Sequence, residues 1–147
     1  MINWTTKRDE FWDGIFTSSY FRNSGNSSEM EICIDGASVA DYAEKCITSF
    51  NQLPDSAISE ICKRIIKCSK KHSTKWKLNS LRFMSDPFAI LDHCYFSSIY
   101  VNEPEDQDQV SYIVEGEGEW DDVIGFVIHD GKLVYVGTDY LNEKNWR

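Results

Sequence analysis

The chain has 147 residues, of which 41% are hydrophobic and 14% aromatic, and it carries a formal charge of -9. That much apolar material suits one domain with a real core and excludes a disordered acidic tail. The net charge argues against nonspecific nucleic-acid binding, which is driven by phosphate neutralisation, and no apolar run reaches the roughly 18 residues of a membrane span.

The start, Met1-Ile2-Asn3-Trp4-Thr5, lacks the basic, apolar and small-residue layout of a signal peptide. The five cysteines, Cys33, Cys46, Cys62, Cys68 and Cys94, are odd in number and without framework spacing. Several occupy apolar positions of a helix face, as reduced core thiols do. The expectation is a cytoplasmic protein. Phe11, Trp12, Ile15, Phe16, Tyr20 and Phe21 recur at roughly helical spacing, which predicts a short N-terminal helix. A polar loop follows at Asn23-Ser24-Gly25-Asn26-Ser27-Ser28. Met30, Ile32 and Ile34 alternate with Glu31, Cys33 and Asp35, the pattern of a short strand ending at Asp35-Gly36.

Ser38 has the chemistry of a helix N-cap, with Asp41 three residues on. Val39, Tyr42, Ala43, Cys46, Ile47 and Phe50 predict an amphipathic helix to about Gln52, stopped by Pro54. Asp55 or Ser56 caps a second helix, with Ile58, Ile61, Cys62, Ile65 and Ile66 as its buried stripe. The short link predicts an antiparallel helical hairpin. Residues 73–93 have no clear pattern. Strands are expected at Tyr95 to Val101 and Gln109 to Val114, around a charged loop from Asn102 to Gln107. Val123 to Ile128 and Leu133 to Val136 flank Asp130-Gly131, a strong hairpin signal because both turn residues accept positive φ. Helices followed by strands predict an α+β fold, a helical hairpin packed on a mainly antiparallel sheet, with residues 1–147 as a single domain.

Charge is segregated along the chain. From Phe83 to Gly131 there are 12 of the 24 acidic residues and no lysine or arginine. Just before, Lys63, Arg64, Lys67, Lys70, Lys71, Lys75, Lys77 and Arg82 are 8 of the 15 basic residues, with no acid among them. Charge of one sign makes a long-range field, and an acidic one attracts basic proteins while repelling phosphates.

Catalytic patterns are missing. Gly116 and Gly118 lie among glutamates rather than in a phosphate loop, and there is no nucleophile elbow and no HExxH. Cys68, His72, His93 and Cys94 do not have zinc-knuckle spacing. We therefore expect no enzyme activity, no cofactor and no metal. Two other readings stay open. Glu115, Glu117 and Glu119 on one strand face, with Asp121 and Asp122, have the spacing for a metal-dependent or acid/base hydrolase. The Lys63–Arg82 face, with Trp76 and Phe83 nearby to stack on bases, has the composition of an RNA-binding module.

The segment from Ile34 to Cys62, IDGASVADYAEKCITSFNQLPDSAISEIC, and that from Glu115 to Trp146, EGEGEWDDVIGFVIHDGKLVYVGTDYLNEKNW, resemble a family of small bacterial cytoplasmic proteins. The shared marks are an acidic segment ending in Trp120, the Asp130-Gly131 hairpin, Tyr135-Val136-Gly137 and a final Trp146. The chain departs from that family near Val123 and Ile124, where a histidine is usual. Proteins of this kind occur among the immunity proteins of polymorphic-toxin and contact-dependent growth inhibition systems. The resemblance implies an immunity protein that neutralises a cognate toxin domain by covering or occupying its active site. The charge implies a cationic partner such as a basic nuclease, with neither nucleic acid nor membrane bound directly. The expected toxin-binding residues are Glu103, Glu105, Asp106 and Asp108 in the loop, with Glu115, Glu117, Glu119, Asp121 and Asp122 beside it.

Overall fold

The computed structural model describes residues 1–72, 85–120 and 122–145. Lys75, Trp76, Lys77, Arg82, Phe83, Asp121 and Trp146, all given roles above, lie outside the described residues. Seven strands form one sheet in chain order: β1 (Asn3–Arg8), β2 (Phe11–Thr17), β3 (Glu29–Ile34), β4 (Cys94–Val101), β5 (Tyr112–Gly118), β6 (Asp122–His129) and β7 (Lys132–Gly137). Neighbours are antiparallel except β3 and β4, which run parallel. A parallel pair cannot be joined by a tight turn. Its connection here carries α1 (Ala40–Asn51), α2 (Asp55–His72) and a 3-10 segment, Pro87–Asp92. The fold is α+β.

The N-terminal aromatic segment is strand rather than helix. Trp12, Gly14 and Phe16 share one face of β2, and Gly14 and Phe16 are buried there. Over so few residues, aromatic positions satisfy a period of 2 as well as one of 3.6, and β-branched and aromatic residues favour the pleated surface. Helix α1 starts at Ala40, after a 3-10 turn at Ala37–Val39, with no side-chain cap from Ser38. The start of α2 is closed by the Pro54 carbonyl, which accepts the N–H groups of Ala57 (2.9 Å) and Ile58 (3.1 Å). Asp55 adds charge complementary to that helix end. Strand β5 starts and ends later than expected, running to Gly118, and Gly116 admits the close approach of β4, where a Cβ would collide with the Tyr95 carbonyl oxygen. The hairpin between β6 and β7 turns on Asp130 (φ 53°) and Gly131 (φ 72°), both positive as the Asp-Gly signal requires.

The sheet has two unlike faces. Phe16, Met30, Ile32, Phe96, Val114, Ile124 and Phe126 point to the helices and join Ile47, Phe50, Ile58, Ile61 and Ile65 in the main core. Among the described residues, α2 makes its main contacts with β6, β7 and the Pro87–Asp92 segment. Among the described residues the other face carries no helix. Its β5–β7 end is covered by the chain after β7: Tyr140 lies over Gly125 and packs with Ile113 and Val127.

Gly125 is what admits that cover. A Cβ there would come within 2.3 Å of the Tyr140 ring and 2.7 Å of the Val114 carbonyl oxygen. Gly125→Ala is therefore expected to cost about 1–3 kcal/mol, the usual penalty for overpacking. Urea denaturation checks this, since an unchanged midpoint would mean that Tyr140 is not seated on β6.

Candidate functional site

The loop between β4 and β5 is held from behind by α1. The Tyr42 hydroxyl donates to the Gln109 carbonyl (2.6 Å) and accepts from the Ser111 N–H (2.9 Å). Lys45 Nζ donates to the Gln107 carbonyl (2.8 Å). Within the loop, Asp106 Oδ1 accepts the Asp108 N–H (2.9 Å). These bonds fix the backbone and leave Glu103, Glu105, Asp106 and Asp108 exposed. Burial pushes the Tyr42 hydroxyl up to about 12, so it stays protonated and can act as that donor.

The loop forms one wall of a cavity of about 700 Å³ at the carboxyl ends of β3 and β4. Asp35, Glu103, Glu105 and Asp106 supply carboxylates, Tyr42 and Tyr100 supply rings, and His129 and Ser111 stand at the end of β6 and the approach to β5. The Ser111 hydroxyl lies 3.2 Å from His129 Nδ1 and accepts the Asp130 N–H at 3.1 Å, tying the β6–β7 turn to β5.

Alternation places Glu115 and Glu117 of β5 on the sheet face away from the helices. Pairing across β4 puts Glu31 of β3 two strands from Glu115, with Ser98 between them. That separation is about 10 Å from the interstrand spacing. Glu115 is half-buried and accepts hydroxyls from Tyr140 (2.9 Å) and Tyr100 (3.2 Å). Burial, and then Glu115, push Tyr100 up to about 12. Glu117 is exposed opposite Tyr95. Asp13 of β2 lies on the same face, and its Oδ1 is buried without a partner among the described residues.

Glu119 falls beyond β5, in the turn, rather than on a strand face with Glu115 and Glu117. It contacts His93 Nδ1 at 2.8 Å and accepts the Tyr95 hydroxyl at 3.0 Å. The hydrogen bond from His93 holds its carboxyl below the ordinary 4.5, with the Tyr95 bond adding to the effect. A lowered carboxylate contributes stability that is complete above the unfolded value and is lost as pH falls through the folded one. Glu119→Gln is therefore expected to lower stability near neutrality, where the carboxylate's contribution is complete, and to converge with the unaltered protein as pH falls below about 4.5; melting temperatures across that range test this.

The expected acidic surface thus divides. The loop carboxylates lie at one end of β5 and Glu117 and Glu119 at the other, about 20 Å apart along a strand of this length. Glu115 sits between them. Asp122 starts β6, where its Oδ1 accepts the Val123 N–H (2.8 Å). The basic helix is on the far side of the sheet: Lys63, Lys67, Lys70 and Lys71 are exposed, and the opposite face of α2 is in the core. Among the described residues Glu31, Glu103, Glu105, Asp108, Glu115 and Glu117 make no ion pair. Sequence reading missed Glu31, Asp35, Tyr42, Tyr95 and Tyr100 as members of this region. Alternation marked Glu31 as outward-facing, but only strand order placed it near Glu115.

Among the described residues, no three His, Cys, Asp or Glu side chains gather as metal ligands. Cys94 points into the core while His93 turns outward. Burial raises all five thiols, Cys33 and Cys62 to about 12, so none is a ready nucleophile at neutral pH. No helix among the described residues is long and apolar enough to cross a membrane.

The family described as "Domain of unknown function (DUF6985)" matches residues 3–141, a span that includes strands β1 to β7 and helices α1 and α2. The chain belongs to the DUF6985 family. No curated protein and no solved structure matches it. In this DUF6985 domain the distinctive C-terminal residues have structural work. Trp120 is buried against Gly118, where a Cβ would come within 2.3 Å of its ring. Tyr135 folds over Gly137, and its hydroxyl accepts the Asp139 N–H (3.0 Å), starting the segment that carries Tyr140 to Gly125.

Proposed function

We propose that this DUF6985 domain is an immunity-type inhibitor that captures a cationic toxin domain, a basic nuclease, and blocks it by covering or occupying its active site. The observation that carries the reading is the separation of charge by the sheet. The exposed basic face of α2 and the open-face carboxylates Glu31, Glu115 and Glu117 lie on opposite sides, and among the described residues neither these nor the loop carboxylates Glu103, Glu105 and Asp108 make an ion pair, which leaves them available to a partner. Such a field speeds encounter with a cationic protein and repels nucleic acid. In this reading α1 and α2 form a hairpin behind the sheet, with α1 as the support of the docking loop, and the inhibitor works in the cytoplasm of the cell that makes it.

The test is co-expression with the basic C-terminal toxin domain encoded beside it. Rescue of a strain that this domain kills, together with a purified complex whose affinity falls as salt rises, is the expected result. Absence of such a neighbour, or failure to rescue, overturns the reading.

A further inference from the structure

We infer that the cavity at the carboxyl ends of β3 and β4 is a receptor for an arginine-bearing segment of the partner, an inference that rests on the function proposed above. Its volume of about 700 Å³ lies within the range of roughly 300–1,000 Å³ typical of ligand pockets. It therefore has room for a side chain with the backbone that carries it. Asp35, Glu103 and Glu105 line it without a hydrogen-bond or ion-pair partner among the described residues, and no lysine or arginine lines it.

A compact dication fits this arrangement poorly, because no three potential ligands converge among the described residues. A guanidinium fits better: it is planar, always charged, broad enough to address separated carboxylates, and stacks on aromatic faces. Half-buried Tyr100 supplies such a face in the lining. The rim is preorganised, since Tyr42 and Lys45 already hold the loop backbone. Less ordering entropy is then lost when the arginine enters.

The test is an NMR titration of the ¹⁵N-labelled protein with N-acetylarginine amide and, separately, with the neutral N-acetylcitrulline amide. Saturable shifts confined to amides around Asp35, the loop from 102 to 111 and His129 are expected. The citrulline compound should bind at least tenfold more weakly. Glu103→Gln/Glu105→Gln should weaken arginine-amide binding at least fivefold while leaving the rest of the spectrum in place, which verifies folding. Equal responses to the two amides, shifts spread over the surface, or an unaffected double variant overturn the inference. The variant is also tested against the toxin domain. If that complex forms undiminished, the partner's arginine does not use this cavity and the inference fails while the inhibitor reading stands. If no toxin complex forms with the unaltered protein, the inhibitor reading fails, and the assignment of the arginine to a partner fails with it.

Discussion

Phe21→Ala is expected to lower the free energy of unfolding by about 3–5 kcal/mol, the range for removing a buried phenylalanine. Phe21 is 1% exposed. It stacks on Phe50 at 5.4 Å between centroids and meets Phe96 at 5.1 Å and Phe126 at 5.5 Å. Those three rings come from α1, β4 and β6, so the side chain joins the helical layer to two separate strands. The loop that delivers it is itself fixed. Ser18 Oγ accepts the Phe21 N–H (3.0 Å), and the Arg22 carbonyl accepts the Phe96 N–H (2.8 Å). A cavity bounded by three anchored rings cannot close cheaply, which favours the upper part of the range. Phe11→Ala is the control, because Phe11 is 42% exposed and its loss should cost no more than about 0.5 kcal/mol. Urea unfolding of both variants decides the matter, and equal midpoints would show that the aromatic centre is not where the stability resides.

The second large effect concerns association. Glu103→Lys/Glu105→Lys/Asp108→Lys reverses three exposed loop charges and spares Asp106, whose carboxylate holds the loop turn. Association with the proposed cationic partner is expected to slow at least tenfold at low ionic strength, and its dependence on salt to flatten. Stability should move by less than about 0.5 kcal/mol, since these side chains are exposed and make no ion pair among the described residues. The matched control reverses Lys63, Lys67 and Lys70 on the far side of the sheet, a change expected not to slow association. Stopped-flow association at two salt concentrations measures both. Equal effects from the two sets would reduce the result to net charge and remove the loop as the docking surface.

What could be read from the chain was what is local. The apolar stripe from Ile58 to Ile66, the alternation around Met30 and Ile34, and the Asp130-Gly131 turn each announce their structure within a few residues, because helix and strand periods and positive-φ turns are short-range properties. The aromatic run from Phe11 to Phe21 is ambiguous for the same reason: one strand and a loop can imitate about three helical turns. Glu115 and Glu117 were placed on one face correctly, but Glu119 was not, because the end of β5 is set by its pairing with β4 and β6 and by Trp120 against Gly118.

Charge is legible in the chain alone: a basic block, an acidic block after it, and a net excess of carboxylates that no fold can remove. Where that charge goes depends on the packing of distant segments. A parallel pairing of β3 with β4 across a long connection sets α2 on one side of the sheet and Glu31 and Glu115 on the other, and it opens the cavity beside Asp35 and Glu103. Register and strand order depend on contacts between residues far apart in the chain. The sign of a patch is therefore written in composition, but its position and its freedom from internal neutralisation are not.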